Sequence, residues 1–115
     1  MNREAAKHYR WGGPEGTSCD GWHLVNSPEL SVIEERMPPG TEEARHRHQR
    51  ARQFFYVLAG ELVLEVEGYS QSLRAGDGLE IAPGVWHQAK NRGAEDTRFL
   101  VVSQPRSHGD RIVFW

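Results

Sequence analysis

Six histidines stand in this chain of 115 residues, and their spacing gives the first indication of its chemistry. Histidine is the commonest metal ligand in proteins and titrates near neutral pH. His46 and His48 are two residues apart, so on a β-strand both imidazoles would lie on the same face. Gln53 follows, and His87 comes much later in the chain. Three imidazoles and one carboxamide oxygen make a suitable ligand set for a first-row transition metal.

Each part of this set also has a simpler interpretation. A His-x-His pair in the arginine-rich segment 45–52 is more often an exposed loop than a pair of metal ligands. His87 taken alone is a weaker signal still. The spacing becomes informative only when the segments are considered together. The other three histidines, His8, His23 and His108, are assigned no role.

The elements that must position these residues are short strands separated by turns. Apolar or alternating segments end at glycine, proline or asparagine at almost every break, which is typical of an antiparallel sandwich or barrel. No stretch sustains the apolar periodicity of a long helix, so we expect an all-β fold. The predicted strands span 22–25, 30–37, 53–58, 62–66, 70–73, 79–82, 86–90, 97–103 and 111–115.

The histidine and glycine spacings together resemble the two motifs of the cupin superfamily. The residues that match the first motif are Gly40, His46, His48, Gln53 and Gly60, and those that match the second are Gly76, Pro83, Gly84, His87 and Asn91. The resemblance covers residues 30–104. The chain departs from the usual pattern twice, because Gln53 stands where glutamate is usual and Ala82 where proline is usual.

The resemblance implies a small single-domain cupin, a double-stranded β-helix or jelly-roll barrel with a metal at one end of its interior. It makes His46, His48, Gln53 and His87 the metal ligands. Gly40, Gly60, Gly76 and Gly84 become turn residues, and Asn91 takes a structural role in the turn after the last ligand strand. We expect residues 1–21 to form an N-terminal arm and residues 22–115 to form the barrel domain.

Gln53 changes the charge of the implied metal centre. Three neutral imidazoles and a neutral amide leave a divalent ion at +2, so we expect weaker binding and a more Lewis-acidic ion than with glutamate. Nitrogen-rich ligation favours Fe, Ni, Zn or Cu over Mg or Ca. Mn is less favoured without the carboxylate, and the sequence does not choose among these divalent transition metals.

The strand that begins at Gln53 is apolar on both faces. If Gln53 points inward, alternation predicts that Phe55, Val57 and Ala59 do so too, while Phe54, Tyr56 and Leu58 point outward. An apolar outer face is expected to be covered, either by the arm or by a second subunit, and we expect a homodimer. The tail 112–115 either contributes a strand or a plug to the dimer or packs on its own barrel.

Glu35 is the candidate catalytic residue. It shares a strand face with the apolar Ile33 and Met37, which would turn its carboxylate into the cavity as a general acid/base with a raised pKa. The alternative, which the sequence alone favours, is that Glu34 and Glu35 form a solvated rim. Four nearby arginines either bind an anionic substrate at the entrance or form a solvated loop; they are Arg45, Arg47, Arg50 and Arg52.

Composition argues against several classes of protein. The 14 basic and 16 acidic side chains give a formal net charge of −2, so no overall electrostatic attraction to nucleic acid is expected. No apolar run approaches the roughly 20 residues that span a bilayer, so no membrane partner is expected. The first ten residues lack the apolar segment of a secretory signal, and Cys19 has no partner for a disulfide. We therefore expect a cytoplasmic protein.

Three functions are compatible with these observations. The first is a metal-dependent enzyme, of the oxygenase or isomerase/lyase type, that acts on a small and anionic organic molecule. The second is a non-catalytic cupin that binds or senses a small molecule, and the third is a barrel that a metal stabilises for assembly. The position of Glu35 and Glu80 discriminates the first two, because a carboxyl group inside the cavity favours the enzyme.

Overall fold

The computed structural model describes residues 2–13, 15–107 and 109–114 and has an all-β fold. A short 3-10 turn, Arg3–Ala5, precedes eleven strands in the described part of the chain. These strands are β1 Lys7–Trp11, β2 Cys19–Asn26, β3 Ser31–Met37, β4 His46–His48, β5 Arg52–Ala59, β6 Glu61–Val66, β7 Tyr69–Arg74, β8 Gly78–Ile81, β9 His87–Lys90, β10 Thr97–Gln104 and β11 Arg111–Val113. No helix among the described residues is long and apolar enough to cross a membrane.

The strands form two antiparallel sheets that enclose one interior. The larger sheet has the order β1-β2-β3-β10-β5-β8, and the smaller has the order β11-β4-β9-β6-β7. Strands distant in sequence lie side by side, such as β3 with β10 and β4 with β9, which is the connectivity of a jelly roll. The predicted fold class is therefore confirmed. This topology also brings His46 and His87 together as a cross-strand pair.

The core lies between the sheets and is built by strict alternation along the strands. In β10, Thr97, Phe99, Val101 and Ser103 are buried, and the residues between them lie on the other face. Leu62 is fully buried opposite them on the smaller sheet. Each fully buried leucine or phenylalanine contributes roughly 1.5–3 kcal/mol to folding. Phe55 and Val101 belong to this core and also line a cavity beside the histidines.

Strand β5 has two apolar faces, as the sequence predicted. Gln53, Phe55 and Val57 are buried, whereas Phe54, Tyr56 and Leu58 are 41%, 37% and 42% exposed. Ala59 was expected to point inward, but it is exposed at the end of the strand. The pairing with β10 shifts register there, which breaks the alternation. The homodimer that would cover the outer face stays a prediction.

The two chain ends pair with the barrel. Strand β1 falls in the expected arm and was not predicted as a strand; it pairs antiparallel with β2 at the edge of the larger sheet. Strand β11 pairs with β4, so the tail packs on its own barrel. Two residues discussed above, His108 and Trp115, lie outside the described residues.

The turns implied by the cupin resemblance are present. The four glycines all have positive φ, between 75° at Gly60 and 91° at Gly76, a conformation that suits a residue without a Cβ. Asn91 is buried, and its amide donates to the carbonyls of Met37 and Glu95 at 2.8 Å each. Asn91 therefore joins the end of β9 to the end of β3, a structural role.

Candidate metal centre and cavity

The three histidines singled out by spacing meet inside the barrel. His46 and His48 alternate with outward residues on β4, and His87 begins the neighbouring strand β9. One ligand nitrogen from each lies within 4.8 Å of the others. All three side chains are buried, with relative exposures of 4%, 6% and 1%. This arrangement could hold a metal ion.

Backbone carbonyls orient two of the three rings. His46 Nδ1 donates to the carbonyl of Ala44 at 2.9 Å, and His87 Nδ1 donates to the carbonyl of Val85 at the same distance. A proton held on Nδ1 leaves Nε2 with a free electron pair. Such second hydrogen bonds are typical of metal-binding histidines, because they set the tautomer and the ring direction.

Gln53 joins the three histidines from the opposite sheet. Its Nε2 donates to Ser103 Oγ at 3.0 Å, and its Oε1 lies 3.1 Å from His87 Nε2. Since His87 already holds a proton on Nδ1, two electron-pair donors converge on one point. A cation at that point would satisfy both donors. We call His46, His48, His87 and Gln53 the histidine cluster.

Burial keeps the histidine cluster uncharged near neutral pH. Desolvation lowers the pKa of His46 to about 4 and that of His48 to about 3, and it also lowers the pKa of His87. The neutral imidazole is the form that binds metal. In addition, His48 Nδ1 is buried without a hydrogen-bond partner among the described residues. A cluster of neutral rings with an orphaned nitrogen fits a metal ion.

Three members of the histidine cluster, His46, His48 and Gln53, line a cavity of about 510 Å³. Glu35 lines this cavity, so the solvated-rim interpretation does not hold for it. Glu34 instead pairs with Arg3 and Arg98 at 2.9 and 2.7 Å. The difference follows from strand alternation, since Glu34 and Glu35 lie on opposite faces of β3.

Glu35 is a half-buried carboxyl group at the cavity. Its burial raises its pKa to about 8, with a further contribution from the negative charge of Glu43, while Arg111 opposes the shift. Across the sheet, Glu35 pairs with Gly21, and Gly21 pairs with Tyr9. Because Gly21 has no side chain, the Tyr9 ring occupies the space where a Cβ would stand. We call Tyr9, Gly21 and Glu35 the carboxyl wall.

Glu43 is a cavity residue that the sequence did not single out. Its Oε1 accepts from the backbone N–H of Ala89 at 3.0 Å and lies 3.8 Å from His46 Nδ1. Burial raises its pKa. Glu43 therefore braces β9 and the start of β4, the two strands that carry the histidines. In the sequence, only the position of Glu43 three residues before His46 could have indicated it as a cavity residue.

The four arginines expected near the entrance do not line the cavity. The Arg45 guanidinium lies 4.7 Å from the Phe114 ring centre, and that of Arg47 lies 4.9 Å from the Trp86 ring centre. Both alternate with the inward histidines and so point outward.

The remaining two arginines pair with carboxylates outside the cavity. Arg50 lies 3.9 Å from Asp110, and Arg52 lies 2.6 Å from Glu80. Glu80, the other candidate cavity carboxyl, is thus also outside the main cavity. The positive charges that do line the cavity belong to Lys7 and Arg111, near the two chain ends.

Asp110 positions the turn that follows β4. It is buried, and its carboxylate accepts from the backbone N–H groups of Gln49, Arg50 and Ala51 at distances from 2.8 to 3.1 Å. These hydrogen bonds outweigh desolvation and lower its pKa. The bonds tie the segment after His48 to the loop before β11. Nothing in the sequence pattern indicated this long-range contact.

Strand β1 and its neighbour β2 also contribute cavity residues that no sequence pattern had indicated. Tyr9, Trp11 and His23 line the cavity, and the rings of Tyr9 and His23 are 5.0 Å apart. The alternation of charged residues with Tyr9 and Trp11 was a strand signal that the glycines after Trp11 obscured.

Known proteins resemble this chain in both sequence and fold. The oxalate-binding protein of Thermotoga maritima is 33% identical over 67 residues, which are 58% of this chain and 55% of that protein. The polyketide synthase CurC of Streptomyces cyaneus is 33% identical over 69 residues, which are 60% of this chain and 45% of that protein. The chain thus spans about half the length of these curated relatives.

A solved structure and a family model complete the comparison. A Thermotoga maritima protein described as a predicted oxalate decarboxylase superposes with a TM-score of 0.81, covering 92% of this chain and 98% of that chain. At 23% identity this likeness shows the fold alone. The model of the cupin domain matches residues 33–103, which include the whole histidine cluster. With that match over more than half of its length, and with the jelly-roll fold, the chain belongs to the cupin family.

Proposed function

We propose that this chain is a metal-dependent isomerase or lyase that moves a proton on a small organic acid inside the cavity. One observation carries the proposal: Glu35, with a pKa of about 8, lines the same cavity as His46, His48 and Gln53 of the histidine cluster. An acid/base group is most effective when its pKa lies near the working pH. Such a group supports an enzyme rather than a simple binding protein.

The histidine cluster would hold the metal ion. His46, His48 and His87 would supply three nitrogens, and Gln53 would supply its amide oxygen, a set suited to Fe, Ni, Zn, Cu or Mn. A bound divalent ion would act as a Lewis acid that polarises a substrate oxygen. Because every protein ligand is neutral, the ion would keep its full charge for the substrate.

Glu35 would transfer the proton. Near neutral pH its carboxyl group is protonated in part of the molecules and ionised in the rest, so it can either donate or accept at the carboxyl oxygen. Oxygenase chemistry would use the same ligand set, but a carboxyl group of this kind favours the isomerase or lyase class. Tyr9 keeps its proton because burial raises its pKa, so its hydroxyl can donate a hydrogen bond to the substrate.

The relatives support a small organic substrate without naming it. One matched relative is an oxalate-binding protein and another is a polyketide synthase, so the family sets the fold and not the activity. A non-catalytic binding function at the same cavity is the alternative. The two differ in one measurable respect, since only an enzyme exchanges or eliminates a substrate proton.

Metal binding and proton transfer can be tested in sequence. The protein is stripped with a chelator, reconstituted separately with Fe(II), Ni, Zn, Cu and Mn, and assayed for bound metal by elemental analysis. Each form is then incubated in D₂O with phenylpyruvate, mandelate, galacturonate and oxalate, and NMR follows deuterium incorporation or product formation. We expect near-stoichiometric metal, and exchange or turnover above the rate in buffer.

Two results would contradict the proposal in different ways. Failure to retain any of the five metals would exclude the metal-dependent mechanism. Stoichiometric metal with ligand binding but no proton exchange and no product for any of the acids would favour the binding protein instead.

A further inference from the structure

Arg111 is a cation at the cavity that pairs with no carboxylate among the residues described by the structure. It begins β11 and lies directly across from His48 in the antiparallel pair, so both side chains lie on the same face of the smaller sheet. Its charge lowers the pKa of Glu35 and of all three histidines, as expected of a guanidinium close to the whole site. Its exposed position places it at the cavity mouth.

Lys7 supplies a second cation at the cavity. It lies on β1, is exposed, and lines the cavity without an ion pair in the described ranges. Most other arginines have a carboxylate or aromatic partner; Arg36, for example, pairs with Asp20 at 2.6 Å. Two unpaired positive charges at one cavity favour an anionic ligand, and a guanidinium binds a carboxylate through two parallel hydrogen bonds.

The cavity also has an apolar surface that a very small dianion would leave unused. Trp11, Ile33, Phe55 and Val101 line it together with the Tyr9 ring. The Trp11 ring is held in place because its Nε1 donates to the carbonyl of Asp20 at 3.1 Å. A volume of about 510 Å³ lies in the range of pockets that enclose molecules larger than a two-carbon acid.

Both cations and two of the aromatic residues of the cavity come from a different part of the chain than the histidine cluster. Lys7, Tyr9, Trp11 and Arg111 all lie outside residues 33–103, the segment that matches the cupin domain. The matched segment contains the four residues of the cluster. The chain ends are therefore where this protein can differ from its relatives in what it binds.

We infer that the cavity selects an organic acid with an apolar body, whose carboxylate pairs with Arg111 and whose body packs against Trp11 and Phe55. The inference rests on the proposed function in that it places the substrate in the same cavity. It goes further by naming the substrate class and the residue that recognises the carboxylate. It also predicts that oxalate, which has no apolar body, is a poor ligand.

A set of matched ligands tests the carboxylate contact and the apolar contact separately. Phenylacetate carries both features, acetate lacks the body, and phenylacetamide lacks the charge. Each ligand, and oxalate, is titrated by calorimetry or NMR into metal-free protein and into the Zn-loaded form. The variants are Arg111→Gln and Trp11→Leu, with Arg52→Gln as the control, since Arg52 is also exposed but pairs with Glu80 away from the cavity.

The expected pattern is specific to each change. Arg111→Gln weakens phenylacetate about tenfold or more, because it removes a charge-assisted pair, and leaves phenylacetamide nearly unchanged. Trp11→Leu weakens phenylacetate more than acetate, and Arg52→Gln changes neither. The inference is overturned if phenylacetate fails to bind at millimolar concentration, if Arg111→Gln leaves its affinity unchanged, or if oxalate binds more tightly than phenylacetate.

The same measurements distinguish this inference from the proposed function. Binding of phenylacetate to metal-free protein that depends on Arg111 supports the recognition site even if no metal is retained. If the protein retains metal and catalyses proton exchange, but its affinity for phenylacetate does not depend on Arg111, then the proposed enzyme stands and the recognition site is wrong.

Discussion

The histidine cluster and the carboxyl wall share one cavity, and the same burial shifts their pKa values in opposite directions. Burial lowers the pKa of His48 to about 3 and raises that of Glu35 to about 8. In both cases the low-polarity interior disfavours the charged form. The comparison shows how burial at one cavity can leave free electron pairs on the histidines and a proton on the carboxyl group.

The two regions also differ in how they are held. His46 and His87 are oriented by the carbonyls of Ala44 and Val85, each two residues earlier in the chain and just before the histidine's strand, so their geometry is local. Glu35 and Tyr9 depend on a gap at Gly21 in the strand between them. The cluster is therefore set by strand geometry, and the carboxyl wall by packing across three strands.

The largest expected effect breaks the histidine cluster. His48→Ala removes one of three nitrogen ligands, so we expect metal retention to fall below detection and any metal-dependent turnover to be lost with it. His8→Ala is the matched control, because His8 pairs with Asp20 outside the cluster. Elemental analysis after reconstitution measures the effect. Full metal content in the His48 variant would mean that the cluster does not bind the ion.

The next effect separates the carboxyl wall from the cluster. Glu35→Gln keeps the size of the side chain but removes its titrating proton, so turnover or proton exchange should drop by about 10²- to 10⁴-fold. Metal content should stay unchanged, since Glu35 is no ligand in the proposal. Both quantities are measured on one preparation, and equal turnover in variant and parent would remove Glu35 from the mechanism.

A smaller effect sharpens the role of Gln53. Gln53→Glu adds a negative charge beside His87, so metal affinity should rise by about tenfold or more. The pKa of His87 should rise at the same time, because a neighbouring carboxylate favours the charged imidazole. Competition with a chelator of known affinity measures the first quantity. A loss of affinity would show that the amide oxygen does not point at the ion.

The smallest effect is the pH dependence of stability in metal-free protein. The pKa of His46 is about 4 in the folded protein and 6.5 in the unfolded protein. Between these values the unfolded state binds more protons, so the stability of the folded protein falls as pH drops from 6.5 to 4. Glu35 has a folded pKa of about 8 against 4.5, so the folded state binds more protons and stability falls as pH rises from 4.5 through 8.

Thermal unfolding across this pH range tests both signs. Glu35→Gln should flatten the alkaline side of the profile and leave the acid side unchanged. An unchanged alkaline slope in this variant would show that Glu35 is ionised in the folded protein at neutral pH.

Much of the fold and part of the site followed from the sequence. Glycine and proline breaks between short apolar segments predicted the barrel, and alternation from Gln53 predicted both faces of β5 except at Ala59. Strand β1 was not predicted, since its edge position leaves charged side chains between its aromatic residues. For Glu35 the sequence favoured a solvated position at the rim. Strand alternation predicts which face of the strand a side chain lies on, but not how deep in the barrel it lies.

The sequence indicated which histidines belong together: His46 and His48 because i and i+2 share a strand face, and His87 because the chain resembles the two cupin motifs. Tertiary structure alone decided which charges face the cavity. None of the four arginines beside the ligands lines the cavity, whereas Lys7 and Arg111, near the two chain ends, do. Pairing between distant strands sets such contacts, and local periodicity does not specify which strands pair.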